Sequence, residues 1–295
     1  MRSYPFMQVD AFTTQPLQGN PCAIVFEAQS LSDAQMQAIA LEMNLSETAF
    51  VLPSDQADFR FRYFTPASEI PLAGHPTIAT THALLESERY QAKTGQSLKI
   101  ELKVGLIDVF IEEADSDHPL IIMQQQKPQF LSLHDPEIVM PIFGLDLTDL
   151  LPDYPIQTVS TGTPQLMIPV KDQDSLKKAK MNMDAYRTYR DASDFFSPHL
   201  FCLGGFSAEG QTFARHLGLP PDTIEDPFTG SATGGMAAYL WHYALLRTPE
   251  FIAEQGHWMG RPGQAYVNVI ANQDGIETVR VGGRAVTLIE GSLKL

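Results

Sequence analysis

The chain has 295 residues, of which 44% are hydrophobic and 19% are charged, so it can build hydrophobic cores and is not disordered by composition. Its 35 Asp and Glu residues outnumber its 20 Lys and Arg residues, and the net charge of -15 disfavours binding to nucleic acids or to anionic membrane surfaces. An acidic surface still permits an anionic substrate, since one local pocket of backbone N–H groups can hold a carboxylate. This length predicts about two domains.

The two cysteines, Cys22 and Cys202, are too few for a disulfide framework, and they exclude a zinc site of the Cys-x-x-Cys kind. No apolar signal segment is visible near Met1, and no apolar run approaches the roughly 18 residues of a transmembrane helix. We therefore expect a cytoplasmic protein.

Short strand-like segments, separated by Gly and Pro, recur along the chain. Several of them alternate apolar and polar residues, which is typical of half-buried antiparallel strands. The predicted strands are 23–26, 48–52, 59–64, 98–102, 106–111, 120–124, 166–169, 199–203, 266–270, 278–281 and 285–289.

Three helices are predicted among these strands. The first, 32–43, begins with a capping box formed by Ser32 and Gln35 and is apolar on one face. The second, 75–85, and the third, 231–246, are apolar around most of their circumference, which indicates buried helices. Two buried helices among many strands predict that each domain wraps a sheet around a central helix.

An internal repeat connects the two buried helices. Residues 69–77 and 225–233 share Glu, Pro, Gly and Thr at the same four offsets, and each copy runs directly into one of the helices. Gly-Asn-Pro at 19–21 and Gly-Thr-Pro at 162–164 form a second, weaker repeat. Together they predict two similar halves related by a pseudo-two-fold axis, with both helix N-termini facing a cleft between the halves.

The sequence therefore predicts an α+β fold of two pseudo-symmetric domains, each a curved, mostly antiparallel sheet or barrel around a central helix. The polar, turn-like segment 114–119 indicates the boundary. The predicted N-terminal half is 1–117, to which 284–295 returns, and the predicted C-terminal half is 118–283.

The starts of the two buried helices are candidate binding sites. A helix N-terminus presents unpaired backbone N–H groups and about half a positive charge, so two of them facing one cleft would bind a carboxylate. Gly74 and Gly230 precede these helices, where the lack of a side chain lets a ligand reach the backbone, although each one singly is also explained as a turn residue. Ser231 is placed as an N-cap and can bind substrate as well.

Three titratable residues are candidates for acid/base chemistry. His75 occupies the first turn of its helix, where the helix dipole disfavours the imidazolium and predicts a neutral ring. Asp226 precedes Pro227 in a turn-forming pair, so a turn carboxylate explains it equally well. Glu47 follows the first helix and by spacing alone resembles an ordinary surface residue, although a Glu in an apolar site can give and take a proton.

Seven short motifs stand in order along the chain: Asp-Ala-Phe-Thr (10–13), Gly-Asn-Pro (19–21), Asn-Leu-Ser-Glu-Thr-Ala-Phe (44–50), Tyr-Phe-Thr-Pro (63–66), Gly-His-Pro-Thr (74–77), Asp-Pro-Phe-Thr-Gly-Ser-Ala (226–232) and Val-Gly-Gly-Arg-Ala-Val (281–286). Together they resemble the phenazine-biosynthesis PhzF-like family. The resemblance spans nearly the whole chain, and the middle segment carries the least of it.

The resemblance implies the diaminopimelate-epimerase-like fold, a homodimer, and an isomerase that acts on a small, amino-bearing carboxylate without a cofactor or metal. It implies that Glu47, in the Asn-x-Ser-Glu-Thr motif, is the acid/base catalyst. His75 and Asp226 would then be catalytic too, orienting the substrate or relaying protons, in roles that can be exchanged. The implied substrate-binding residues are Gly74, Gly230 and Ser231.

Two alternatives to a single-carboxylate isomerase follow from the same fold. Diaminopimelate epimerases and proline racemases use one Cys at each helix N-terminus, whereas positions 73–74 here are Ala-Gly and 229–230 are Thr-Gly, which disfavours a two-thiol racemase. A non-catalytic binder of a metabolite or protein would keep the cleft, and would keep its affinity when Glu47 is replaced. A hydrolase or dehydrogenase is disfavoured, because the chain has no Gly-x-Ser-x-Gly, Walker or Gly-x-Gly-x-x-Gly motif.

Overall fold

A computed structural model describes residues 2–92 and 95–295. Within these residues the strands, in chain order, are β1 Ser3–Ala11, β2 Asn20–Val25, β3 Glu47–Leu52, β4 Phe59–Phe64, β5 Glu69–Ile70, β6 Ser97–Leu102, β7 Gly105–Glu112, β8 Leu120–Gln124, β9 Gln129–His134, β10 Ile156–Ser160, β11 Pro164–Pro169, β12 Ser197–Leu203, β13 Thr212–Leu217, β14 Glu225–Asp226, β15 Glu250–Gln255, β16 Gly263–Asn272, β17 Gly275–Gly283 and β18 Ala285–Lys294. The helices are α1 Asp33–Met43, α2 Gly74–Glu86, α3 Pro136–Ile142, α4 Gln173–Lys178, α5 Met183–Asp191 and α6 Gly230–His242.

The chain forms two compact units. The first consists of Met1–Gln124, Gly260–Gly263 and Gly282–Leu295, and the second of Gln125–Met259 and Gln264–Val281. The domain limits predicted from the sequence are 1–117 with 284–295 for the first domain and 118–283 for the second. These limits stay a prediction.

In the first unit, β1 pairs antiparallel with both β18 and β2, and β2 continues into β3 through a parallel pairing. The strand β3 pairs antiparallel with β4, which pairs antiparallel with β5 and parallel with β6. The strands β6, β7 and β8 complete the sheet as antiparallel neighbours. The helix α1 packs on β3 and β4, with Met36 and Ile39 in one buried cluster with Phe50 and Phe64.

The second unit repeats this plan. The strand β10 pairs antiparallel with β9 and β11, β11 pairs parallel with β12, and β12 pairs antiparallel with β13. The strand β13 then pairs antiparallel with β14 and parallel with β15. Two units with the same order of parallel and antiparallel pairings confirm the predicted α+β fold with an internal repeat.

Each unit holds one buried helix of thirteen residues. Ten residues of α2 and ten of α6 are buried, as their apolar circumference predicts. The helix α2 packs against β1, β2, β3, β8 and β18, and α6 packs against β10, β11 and β12. In both first turns a Thr hydroxyl donates to the carbonyl four residues earlier, from Thr77 to Ala73 and from Thr233 to Thr229.

The sequence repeat also recurs as one ion pair. Arg62 in β4 donates from Nε to Glu69 Oε1 at 2.7 Å, across the pairing of β4 with β5. Arg215 in β13 donates from Nε to Glu225 Oε1 at 2.8 Å, across the pairing of β13 with β14. The Glu that opens each repeat therefore fastens a two-residue strand just before the buried helix.

The predicted helices and strands are all found, with one helix end placed wrongly. The capping box of α1 is formed by Ser32 and Gln35. The predicted helix 231–246 stops at His242, because Ala244 adopts a left-handed φ of 60° and the Leu245 N–H bonds the carbonyl of Leu240 at 2.9 Å. Glycine is the usual residue in the left-handed position after a helix, and here that residue is Ala244.

Among the described residues, no helix has both the length and the apolar character needed to span a membrane.

Candidate active site

In the first unit, Glu47 is the first residue of β3. The preceding helix α1 ends at Asn44, whose left-handed φ of 50° turns the chain towards the strand. The parallel pairing of β2 with β3 then sets Glu47 opposite Cys22. The register of β3 against β2 therefore fixes the position of the Glu47 carboxyl. The side chain of Glu47 is 18% exposed.

His75 lies in the first turn of α2 and is 4% exposed. Its Nδ1 atom lies 3.3 Å from Glu47 Oε2 and 3.0 Å from the side-chain amide nitrogen of Asn20, at the start of β2. Burial lowers the pKa of His75 to about 3, so the ring is neutral at physiological pH. The contact with Glu47 is therefore not an ion pair.

The amide of Asn20 bears on the protonation pattern of the His75 ring. Its nitrogen carries only donor hydrogens, so a hydrogen bond from it to Nδ1 favours the neutral ring form with the proton on Nε2. In that form the one lone pair of Nδ1 is used by the Asn20 amide, and the ring gives the Glu47 carboxylate neither a hydrogen bond nor a positive charge. The pair is thus suited to a carboxyl group that holds a proton for part of a reaction.

Cys22 is not a competing base. Burial raises the pKa of its thiol well above the ordinary value, and the nearby Glu47 carboxylate raises it further. The thiol is fully buried in β2. It therefore stays protonated and packs as a small apolar side chain.

In the second unit, Asp226 lies in β14, directly before α6. Its Oδ2 atom accepts a hydrogen bond from the Thr229 hydroxyl at 2.5 Å. Gln255, which is 2% exposed, donates to the main-chain oxygen of Asp226 at 2.7 Å and accepts from the Thr229 N–H at 3.3 Å. One buried glutamine therefore fixes the turn that carries Asp226.

A second glutamine holds the first turn of α6. Gln125 donates from Nε2 to the carbonyl of Gly230 at 2.9 Å and accepts from the Thr161 hydroxyl. A side chain on Gly234 would collide with it, since a Cβ there would lie 1.8 Å from Gln125 Oε1. The helix start is therefore held rigidly, which suits a binding site made of backbone groups.

Ser231 lies inside the first turn of α6 and is not its N-cap, which was the capping role expected from the sequence. The helix begins one residue earlier, at Gly230, and Thr229 is the capping position. Gly74 is likewise the first residue of α2 rather than the residue before it. Both glycines and Ser231 thus lie where helix N–H groups have no partner within the helix.

The second unit has a serine where the first has Glu47. Ser197 begins β12 opposite Gln165 in β11, as Glu47 begins β3 opposite Cys22. Its hydroxyl donates to Gln165 Oε1 at 2.7 Å and lies 2.8 Å from His216 Nε2, and His216 Nδ1 lies 3.3 Å from His199 Nδ1. Only the first unit therefore carries a carboxyl at this position of the repeat.

Comparison with known proteins identifies the family. The family model described as "Phenazine biosynthesis-like protein" matches residues 9–291. The chain belongs to this family, PhzC-PhzF. A family member named as an uncharacterised isomerase of Clostridium acetobutylicum is 34% identical, with the match covering 100% of this chain and 99% of the relative. The trans-2,3-dihydro-3-hydroxyanthranilate isomerase of Pseudomonas aeruginosa is 30% identical over 97% of this chain and 98% of its own.

Solved structures agree with this assignment. The PhzF-family phenazine biosynthesis protein of Bacillus anthracis matches with a TM-score of 0.90 and 33% identity, covering 100% of both chains. A hydroxyproline epimerase of Agrobacterium vitis matches with a TM-score of 0.67 at 10% identity, covering 99% of this chain and 91% of its own, which shows the shared fold alone. The chain is a PhzC-PhzF family protein with an epimerase-like fold, and it is an isomerase.

The predicted site residues of this family member fall into two groups, one in each unit. The structure brings Glu47 and His75 together, with Gly74 next to His75 in the chain. In the second unit, Gly230 and Ser231 are the first two residues of α6, and Asp226 lies four residues before Gly230. Their assignment as catalytic or substrate-binding residues stays a prediction.

The residues that hold these groups in place could not be identified from the sequence. Asn20 belongs to the Gly-Asn-Pro motif, which does not indicate that its side chain contacts His75 Nδ1. Gln125 and Gln255 carried no signal at all, because a glutamine in a strand or loop is usually exposed. Gln255 is set apart by its burial and Gln125 by its hydrogen bonds to Gly230 and Thr161, and both are properties of the folded chain.

The chain of this PhzC-PhzF protein turns sharply at Gly19, just before Asn20. Its φ is +58°, and a Cβ there would lie 2.1 Å from the main-chain oxygen of Ala11. We expect Gly19→Ala to lower the free energy of unfolding by roughly 3 kcal/mol or more, since backbone strain and a clash with main chain add up. Urea unfolding monitored by circular dichroism measures the loss.

Gly260→Ala is the matched control for this prediction. Gly260 also has a left-handed φ, +71°, but nothing lies within 4 Å of its Cβ position. The control should lose only about 1 kcal/mol, the cost of the backbone conformation alone. Equal losses in the two variants would show that the contact with Ala11 does not matter.

Proposed function

We propose that the protein moves a proton within a small carboxylate substrate without a cofactor, and that Glu47 removes the proton from one carbon and returns it to another. The observation that carries this proposal is the contact of Glu47 Oε2 with Nδ1 of His75, a buried ring that is neutral at physiological pH. A cationic partner would hold the carboxylate in an ion pair. A neutral ring instead suits a carboxyl that alternates between its charged and protonated forms.

The proposed reaction balances within the substrate. Glu47 takes the proton as a C–H bond breaks, and the electron pair stays in the substrate, where the double bond shifts. The carboxyl of Glu47 then holds this proton until the proton passes to the second carbon. The product is an isomer, and no oxidant or reductant is required.

The residues predicted at the start of α6 are proposed to bind substrate. The N–H groups at Gly230 and the hydroxyl of Ser231 lie at the positive end of α6, where a carboxylate is stabilised. Gly74 offers the same feature at the start of α2. Asp226, held by Thr229 and Gln255, is proposed to bind a donor group of the substrate, such as an amine.

The substrate class follows from a relative. The Pseudomonas aeruginosa protein is named for trans-2,3-dihydro-3-hydroxyanthranilate, a cyclic carboxylate with an amino group. We propose a substrate of the same class here. We also propose that the protein works as a homodimer, which size-exclusion chromatography with light scattering tests directly. A cytoplasmic location and the lack of nucleic-acid and membrane partners stay predictions from the sequence.

Proton NMR in D₂O tests the proposal. The protein is incubated with trans-2,3-dihydro-3-hydroxyanthranilate and with a panel of aliphatic and cyclic amino-bearing carboxylates, and Glu47→Gln serves as the inactive control. We expect the wild type to exchange a carbon-bound proton for deuterium in at least one compound and to convert it into its isomer. Exchange that persists in Glu47→Gln would reject the role of Glu47, and no exchange with any member of the panel would reject the proposed substrate class.

A further inference from the structure

An ion pair fastens the turn that leads to Asn20, the residue in contact with His75. Asp10, at the end of β1, is 0% exposed, and its Oδ1 accepts from an Arg261 Nη atom at 2.7 Å. Its Oδ2 accepts from the main-chain N–H of Leu17 at 2.8 Å. Burial raises the pKa of Asp10, and the Arg261 guanidinium and the Leu17 N–H act against that rise.

Arg261 grips the turn that leads into Asn20. Its Nε donates to the carbonyl of Gly19 at 2.8 Å, and its Nη donates to the carbonyl of Gln18 at 2.9 Å as well as to Asp10. The turn is fastened a second time by the Gly19 N–H, which donates to the carbonyl of Pro262 at 3.0 Å. A planar guanidinium satisfies three oxygens in a fixed geometry, which a lysine ammonium does not reproduce.

The chain enters β2 one residue after this grip. Asn20 is fully buried, and its amide nitrogen lies 3.0 Å from His75 Nδ1. Because Gly19 is pressed against the main chain of Ala11, the direction in which the chain enters Asn20 is fixed by the turn. Movement of the carbonyls of residues 18 and 19 would carry the Asn20 amide away from the His75 ring.

We propose that Arg261, clamped by Asp10, is a positioning residue of the isomerase: it holds the Asn20 amide against His75 Nδ1 and so keeps the ring proton on Nε2. With the proton on Nε2 and the Asn20 amide on Nδ1, the ring presents no N–H donor to the Glu47 carboxylate, which therefore keeps its strength as a base. The consequence for turnover rests on the proposed function, whereas the position of the ring proton does not. The two can therefore be tested separately.

Arg261→Lys is the decisive variant, because it keeps the positive charge beside Asp10 and loses the three-pronged grip. Arg284→Lys is the matched control. Arg284 also fastens loops of the first unit, through Glu113 and the carbonyl of His118, and it is exposed to a similar degree. Should Arg261→Lys fail to fold, the double variant Asp10→Asn/Arg261→Met removes both charges together and takes its place.

The first measurement is a long-range ¹H–¹⁵N correlation spectrum of protein labelled with ¹⁵N-histidine, in which His75→Gln identifies the signals of His75. We expect a protonated Nε2 and an unprotonated Nδ1 in the wild type and in Arg284→Lys, and a mixture of both ring forms in Arg261→Lys. An unchanged ring form in folded Arg261→Lys would overturn the proposal.

The second measurement is steady-state kinetics on the compound found by the exchange experiment. Arg261→Lys should lower kcat by about ten-fold with KM changed less than about three-fold, since it disturbs the acid/base pair and not substrate binding. A wild-type kcat in Arg261→Lys, or a lower kcat without a change in the ring form, would show that Arg261 only stabilises the turn, and would overturn its role as a positioning residue. If no compound reacts, the proposed function fails, and the spectrum alone decides whether Arg261 sets the ring form.

Discussion

Replacing Glu47 with Gln is expected to lower kcat by about a thousand-fold, the middle of the range for a general acid/base, with KM changed less than about three-fold. Glutamine has the same size and can occupy the same place beside His75, but it cannot carry a proton between two carbons. Because the Glu47 side chain is 18% exposed, the variant should fold and keep its thermal midpoint. Deuterium incorporation followed by NMR gives the rate.

Two controls separate this effect from simpler explanations. Glu42→Gln removes an exposed carboxylate from α1, five residues earlier, and should leave kcat unchanged. Cys22→Ala removes the thiol that lies opposite Glu47 in the strand register and should keep kcat within about three-fold, since that thiol stays protonated. A kcat for Glu47→Gln within three-fold of the wild type would show that Glu47 is not the acid/base catalyst. A loss of kcat in Cys22→Ala as large as that expected for Glu47→Gln would indicate that the Cys22 thiol is the base.

The second large effect is a loss of stability in mild acid. His75, His199 and His216 are all buried, and burial lowers each pKa, to about 3 for His75 and His216 and well below the ordinary value for His199. These rings are neutral in the folded protein, whereas the unfolded chain protonates them below its ordinary pKa of about 6.5. The unfolded state therefore binds more protons, and stability falls as the pH drops below 6.5.

The size of this loss follows from the unfolded pKa. Going from pH 7 to pH 5 should cost about 2 kcal/mol for each of these histidines, and about 6 kcal/mol in all. Asp10 acts in the opposite direction, because burial raises its pKa. The carboxyls whose pKa is lowered, such as Asp149 and Glu254, act only at more acidic pH and leave this window to the histidines.

Urea unfolding at pH 7, 6 and 5 measures the slope of stability against pH. His216→Gln removes one of the three groups, so it should flatten the slope by about 1.2 kcal/mol per pH unit between pH 5 and 6, even if it lowers stability at pH 7. The exposed His242→Gln is the control and should leave the slope unchanged. A flat profile would show that the rings are charged in the folded state.

Several local features could be predicted because they depend on neighbours in the chain. The capping box of α1 and the left-handed Asn44 that ends it are properties of a few consecutive residues. The apolar circumference of α2 and α6 predicted their burial without knowledge of what covers them. The repeat of Glu, Pro, Gly and Thr predicted two equivalent strand–helix units, and the equivalent ion pairs of Arg62 and Arg215 confirm that equivalence.

Other elements were missed because their local pattern is misleading. The strand β10 contains Gln157, Thr158 and Ser160 and does not alternate, yet all five of its residues are buried. Its polar groups are satisfied by distant partners: Gln157 by Tyr243 and by a main-chain oxygen of β9, and Thr158 by Asp194. A buried polar strand is stable only when such partners exist, and no window of neighbouring residues shows them.

The sequence by itself determined the family, the isomerase class, the two buried helices and their equivalent starts, because short motifs and helical periodicity are written in consecutive residues. Only the tertiary structure decided which of these residues meet. His75 contacts an Asn20 that lies 55 residues away, and Arg261 reaches Asp10 across 251 residues. Such contacts depend on strand register and burial, which are fixed when distant segments pack, and they decide which imidazole is neutral and which carboxyl faces it.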